Sequence, residues 1–116
     1  MKLISLIQYI CVIMSIVLVS LFWQNNILLT ALLLIIATVL LLTLKTKEHL
    51  IIFILAGFSG AGAEAIAIYF GAWTYSNPNI YVLPTWLILL WGIASLTILK
   101  LFNSLSNVLK LQKPIK

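Results

Sequence analysis

GFSGAGAEAIAIYFGAWTYSNPNIYVLPTWLILLW, residues 57–91, sets the plan of the chain: a small-residue helical run, a polar turn segment and a second apolar run. Gly57, Gly60, Ala61, Ala67 and Gly71 fall on or beside the face that carries Glu64 at a 3.6-residue period, leaving space next to the one acid inside an apolar run. The segment SNPNIYVLP supplies turn formers, and Pro78 and Pro84 turn the residues before them away from helix. The pattern is helix, loop, helix.

Working outward, the same apolar character extends over the whole chain. With 64% hydrophobic and 8% charged residues in 116, the chain lacks the charge a soluble surface needs, about a quarter of the residues. A bilayer core about 30 Å thick takes about 20 helical residues, so this length accommodates four crossings and no separate extramembrane domain. The expected fold is therefore all-α: a single polytopic membrane domain, residues 1–116, of four antiparallel transmembrane helices near 3–23, 27–44, 50–75 and 84–101. Residues 101–111 continue with helical spacing of Leu101, Phe102, Leu105, Val108 and Leu109, which suits an interfacial helix. The first run is longer than a signal-peptide core and VSLFW offers no cleavage site, so it reads as a retained helix.

The net charge of +5 comes from seven lysines without arginine, set at the chain ends and in one loop. This is no nucleic-acid surface; the partner it implies is the lipid bilayer. Lys2, Lys45 and Lys47, and Lys110, Lys113 and Lys116 share one side of a four-crossing chain, and the other two loops carry no charge. The positive-inside rule then places both termini in the cytoplasm of a multi-pass cell-membrane protein, with Lys100 snorkelling to the inner interface.

Glu64 stands nine residues before Trp73, roughly 13 Å below the outer aromatic level if the helix is continuous. A carboxylate charge is costly there, which favours the neutral acid, a proton donor. By depth, Ser15, Thr38, Trp91 and Ser95 lie at a similar level and are expected to share a cavity with it. The expected site is Glu64 as the acid, with Gly60, Gly71, Trp73, Tyr75, Trp91 and Ser95 around a ligand. Interfacial aromatic belts, close glycine packing and an interhelical acid hydrogen bond are the structural alternatives. No metal or cofactor motif is present: His49 sits in the KTKEH loop without further ligands, and the lone Cys11 forms neither a disulfide nor a thiolate cluster.

Glu64, the cluster Phe70-Gly71-Ala72-Trp73-Thr74-Tyr75, then Pro84 and Trp91, resemble a pattern in membrane carotenoid-biosynthesis proteins of the bacterial and archaeal hydratase type. Short subunits of heterodimeric lycopene cyclases are similar in size, although their proline-adjacent paired glutamates have no counterpart here. The resemblance implies that Glu64 protonates an isoprenoid double bond while Trp73, Tyr75 and Trp91 stabilise positive charge. Two other classes fit the same composition. One is a small multidrug-type transporter exchanging protons for lipophilic cations, and the other is a non-catalytic subunit that joins a homo-oligomer or a second membrane protein through its small-residue face.

Overall fold

The structure, a computed structural model, describes residues 2–109. It is all-helical, with α1 (Lys2–Phe22), α2 (Asn26–Leu44), α3 (Lys47–Tyr69) and α4 (Trp86–Val108) and no strand among the described residues. Each helix is long and apolar enough to cross a membrane. Lys110, Lys113, Lys116 and the last two positions of the expected interfacial helix lie outside the described residues.

Local chemistry explains the helix ends, and three of them depart from the sequence expectation. Asn25 caps α2 by accepting from the Leu28 amide at 3.1 Å. Lys45, left-handed at φ 61°, closes α2 with its amide on the Leu41 carbonyl. Thr46 then caps α3 by accepting from the His49 amide at 3.2 Å, and Glu48 occupies the first turn, where the helix dipole favours an acid. Most of the charged KTKEH segment is thus helix, three residues earlier than the start expected at Leu50.

At its other end α3 stops at Tyr69, short of the expected Tyr75. Gly71 adopts φ +89°, its amide bonds the Ile68 carbonyl at 2.9 Å, and the Ala72 amide reaches back to Ala67 at 3.0 Å. That pair of bonds is a Schellman motif, which a glycine in the left-handed region permits without steric cost. The aromatic run after Phe70 is therefore loop. In contrast, nothing between Leu101 and Val108 interrupts α4, so the expected interfacial piece, as far as it is described, is the last part of one continuous helix.

α4 packs against all three other helices and most extensively against α3. The α3–α4 seam alternates large and small groups. A Cβ at Gly57 would lie 2.8 Å from the Ile88 carbonyl oxygen, one at Gly92 would lie 2.7 Å from the Phe53 ring, and one at Gly60 would enter the Trp91 indole. These glycines let the backbones approach until Phe53, Ile88 and Trp91 fill the gaps, a packing-driven association suited to lipid. On α2, Leu29, Leu33, Ile36, Ala37 and Leu40 form the buried stripe, while Ile27, Leu34, Ile35, Val39 and Leu42 face outward. The outward apolar face matches hydrocarbon as its solvent.

The seam makes a testable distinction among glycines. Gly92→Leu and Gly57→Leu are expected to lower stability by about 1–3 kcal/mol through overpacking. Gly62→Leu, where a Cβ meets nothing within 4 Å, is expected to leave stability unchanged or raise it. Thermal unfolding in detergent measures the order, and equal midpoints for all three would contradict this packing.

Candidate functional site

Glu64 lies five residues before the end of α3, roughly 8 Å below it along the axis rather than the 13 Å expected for a longer helix. The shortening has a consequence for Tyr75. Released from the helix, the loop turns back and Tyr75 donates its hydroxyl hydrogen to Glu64 Oε1, while Trp91 Nε1 of α4 donates to Oε2 at 2.6 Å. One carboxyl thus joins α3, the loop and α4. Gly60, one turn before Glu64, provides the bare backbone on which the Trp91 ring rests. Burial first, and then the hydrogen bond to Glu64 and its charge, hold the Tyr75 phenol above its ordinary value, so it remains protonated and donating.

A cavity of about 290 Å³ opens beside this carboxyl, lined by Val19, Glu64, Tyr75, Trp86, Leu87, Leu90, Trp91 and Ala94. Its wall is apolar and aromatic apart from the one acid, and no lysine reaches it. α1 and α3 both pack on α4 but do not closely approach each other, so Val19 and Glu64 border the cavity from two separated helices.

The structure brings Glu64, Tyr75, Trp91 and, through its seat, Gly60 together. The other expected members lie elsewhere. Ser95 donates to the Gly92 carbonyl of its own helix at 2.8 Å and does not line the cavity. Ser15 is wholly buried and bonded to the Cys11 carbonyl at 2.8 Å, and Thr38 bonds the Leu34 carbonyl on the exposed side of α2. Equal depth therefore does not make a polar layer, because each hydroxyl is satisfied four or three residues back along its own helix. Gly71 ends α3 from an exposed turn, and Trp73 is exposed on the loop, outside the cavity wall.

A second polar network, not anticipated from the sequence, holds the loop over this site. Trp86 Nε1 donates to Asn26 Oδ1 at 3.1 Å, Asn26 Nδ2 donates to the Asn77 carbonyl at 2.6 Å, and Asn77 Nδ2 donates to the Gln24 carbonyl at 2.8 Å. Beside it the Thr30 and Thr85 hydroxyls meet at 2.7 Å, and Asn79 Oδ1 accepts from the Thr85 amide at 2.8 Å. Trp86 also meets Tyr75 edge to face with ring centroids 6.1 Å apart. The signal in the sequence was two uncharged, asparagine-rich connections, QNN and SNPN, in an otherwise apolar chain. The left-handed Tyr81 and the Ile80–Leu83 bridge complete the loop as a compact turn.

No metal cluster of three or more histidine, cysteine or acidic side chains exists among the described residues. His49 is occupied at the start of α3, where its ring bonds the Thr46 hydroxyl. No known protein family, curated protein or solved structure matches the chain.

Proposed function

We propose that the protein binds an apolar, isoprenoid-like compound drawn from the bilayer, with Glu64 as the polar anchor of the site. The observation that carries this reading is the 290 Å³ cavity whose otherwise apolar wall contains a single carboxyl, held by two neutral donors, Tyr75 and Trp91. A cavity at the low end of the usual range of about 300–1,000 Å³ suits a ring or chain end, with the rest of a longer molecule remaining in lipid. The separation of α1 from α3 supports lateral access from the hydrocarbon. Two donors leave acceptor capacity on both oxygens of Glu64, so the carboxyl can still engage a ligand. It is the only carboxyl in the wall, and any proton transfer to a bound double bond runs through it, with the faces of Trp91, Trp86 and Tyr75 available to positive charge.

Apolar compounds extracted from gently purified protein and identified by mass spectrometry test the reading without a guess at the ligand. One compound is expected at near-equimolar amount, retained by Glu64→Gln, which keeps the shape, and lost from Ala94→Leu, which fills the cavity. An empty site in correctly folded protein would overturn the proposal.

We further infer that the four helices cross the membrane in alternating directions with both termini in the cytoplasm. The charges of the described connections support this, since Lys45 and Lys47 sit at the α2–α3 connection and the other two connections carry none. The bonds of Asn77 to Gln24 and Asn26 bring those two uncharged connections to one end. In a Cys11→Ala background, a reagent confined to the outside is expected to label a cysteine at Ser76 and spare one at Lys47. The opposite pattern would reverse the orientation.

A further inference from the structure

A second cavity of about 190 Å³ lies beside the first, on the loop side, lined by Trp23, Thr74, Tyr75, Ser76, Asn77, Pro84 and Trp86. Tyr75 and Trp86, an edge-to-face ring pair, belong to both linings, so a bundle chamber and a loop chamber adjoin at these residues. The two chambers differ in chemistry. The bundle chamber offers hydrocarbon and aromatic faces around Glu64, whereas the loop chamber combines three aromatic rings with the hydroxyls of Thr74 and Ser76 and the amide of Asn77.

We infer that the two chambers are halves of one site for an amphiphile, the loop chamber taking a neutral, hydroxylated head and the Glu64 chamber its apolar body. This rests on the proposed binding of an isoprenoid-like compound and adds the head group. No charged side chain lines the loop chamber, so nothing there balances a phosphate or an ammonium. The hydroxyls of Thr74 and Ser76 bond no other described residue, and Asn77 spends its Nδ2 on Gln24 and its backbone carbonyl on Asn26 while its Oδ1 bonds none of the described residues. Two hydroxyls and an amide oxygen, both donors and acceptors, complement hydroxyl groups, and Trp23 and Trp86 supply flat faces for an alcohol-bearing chain or a sugar ring. The loop is not free to collapse onto this space, because Asn77 is tied to the α1–α2 connection and Tyr75 to Glu64. The combined site thus selects for a hydrogen-bonding head over both a bare hydrocarbon and a charged lipid.

Tryptophan quenching in phosphatidylcholine vesicles tests this with three brominated probes of one chain length: an alkyl glucoside, the plain alkane, and an alkyl phosphate. Saturable quenching by the glucoside is expected at about tenfold lower concentration than by the alkane, the effect of two ordinary hydrogen bonds. The phosphate is expected to bind no better than the alkane. Thr74→Ala with Ser76→Ala, both on exposed loop positions, should bring glucoside and alkane to within about threefold of each other by weakening the glucoside. Equal binding of glucoside and alkane to the unaltered protein, both lost in Ala94→Leu, would overturn the head-group inference and leave the apolar site standing. Tighter binding of the phosphate would also overturn it. Failure of all three probes to saturate would remove the apolar site as well.

Discussion

A carboxyl group in an apolar bundle has to find donors, and Glu64 has two: the Tyr75 hydroxyl and the Trp91 indole. Much of the local structure follows from satisfying them. Trp91 reaches the acid because Gly60 lets its ring lie against α3, and Tyr75 reaches it because α3 ends early at Gly71 and the loop turns back. Each such hydrogen bond contributes on the order of 0.5–1.5 kcal/mol, and together they tie the loop to α3 and α4. The acid, its neighbouring glycine and the loop are one unit.

The loop is held a second time from the opposite side. Trp86, Asn26, Asn77 and Gln24 form a chain of bonds between the start of α2, the start of α4 and the loop. In a membrane protein unsatisfied polar groups are expensive, and here the Asn26 and Asn77 amide nitrogens both find backbone carbonyls. The result is a capped end of the bundle in which Tyr75 and Trp86 line both of two adjoining chambers of different polarity. α4 supplies the floor, touching every other helix, and the gap between α1 and α3 supplies the opening.

The sequence makes four membrane-length helices legible because apolar runs of that length have few other uses; the centres of α1 and α2 agree with the structure, while α3 and α4 are each displaced by about a turn, toward the amino and carboxyl ends respectively. Their ends are less legible, since they depend on single capping contacts: Thr46 draws α3 back to Lys47, and Gly71 stops it at Tyr69. Threonine and glycine are ordinary cap residues, but a helix-period reading absorbs a lone glycine into the run. The site was half legible. A lone buried acid beside small residues pointed to Glu64 and Gly60, and the nearby aromatics to Tyr75 and Trp91. Rotation about each helix axis was not readable from depth, which is why Ser15, Thr38 and Ser95 turned out to bond their own helices. The Asn26–Trp86 contact joins residues sixty positions apart and has no local signature.

The central claim is that Glu64 couples Trp91 of α4 to Tyr75 of the loop through its two oxygens. A double-mutant cycle measures the α4 half of that link, the Glu64–Trp91 bond, using thermal or denaturant unfolding in detergent of the native protein, Glu64→Leu, Trp91→Phe and the pair. Each single substitution leaves a partly buried partner unsatisfied, so the account predicts a coupling of about 1–3 kcal/mol, with the double variant more stable than the sum of the two single losses implies. Strictly additive losses, with no coupling beyond about 0.5 kcal/mol, would contradict it and leave the Glu64–Trp91 bond without a structural role.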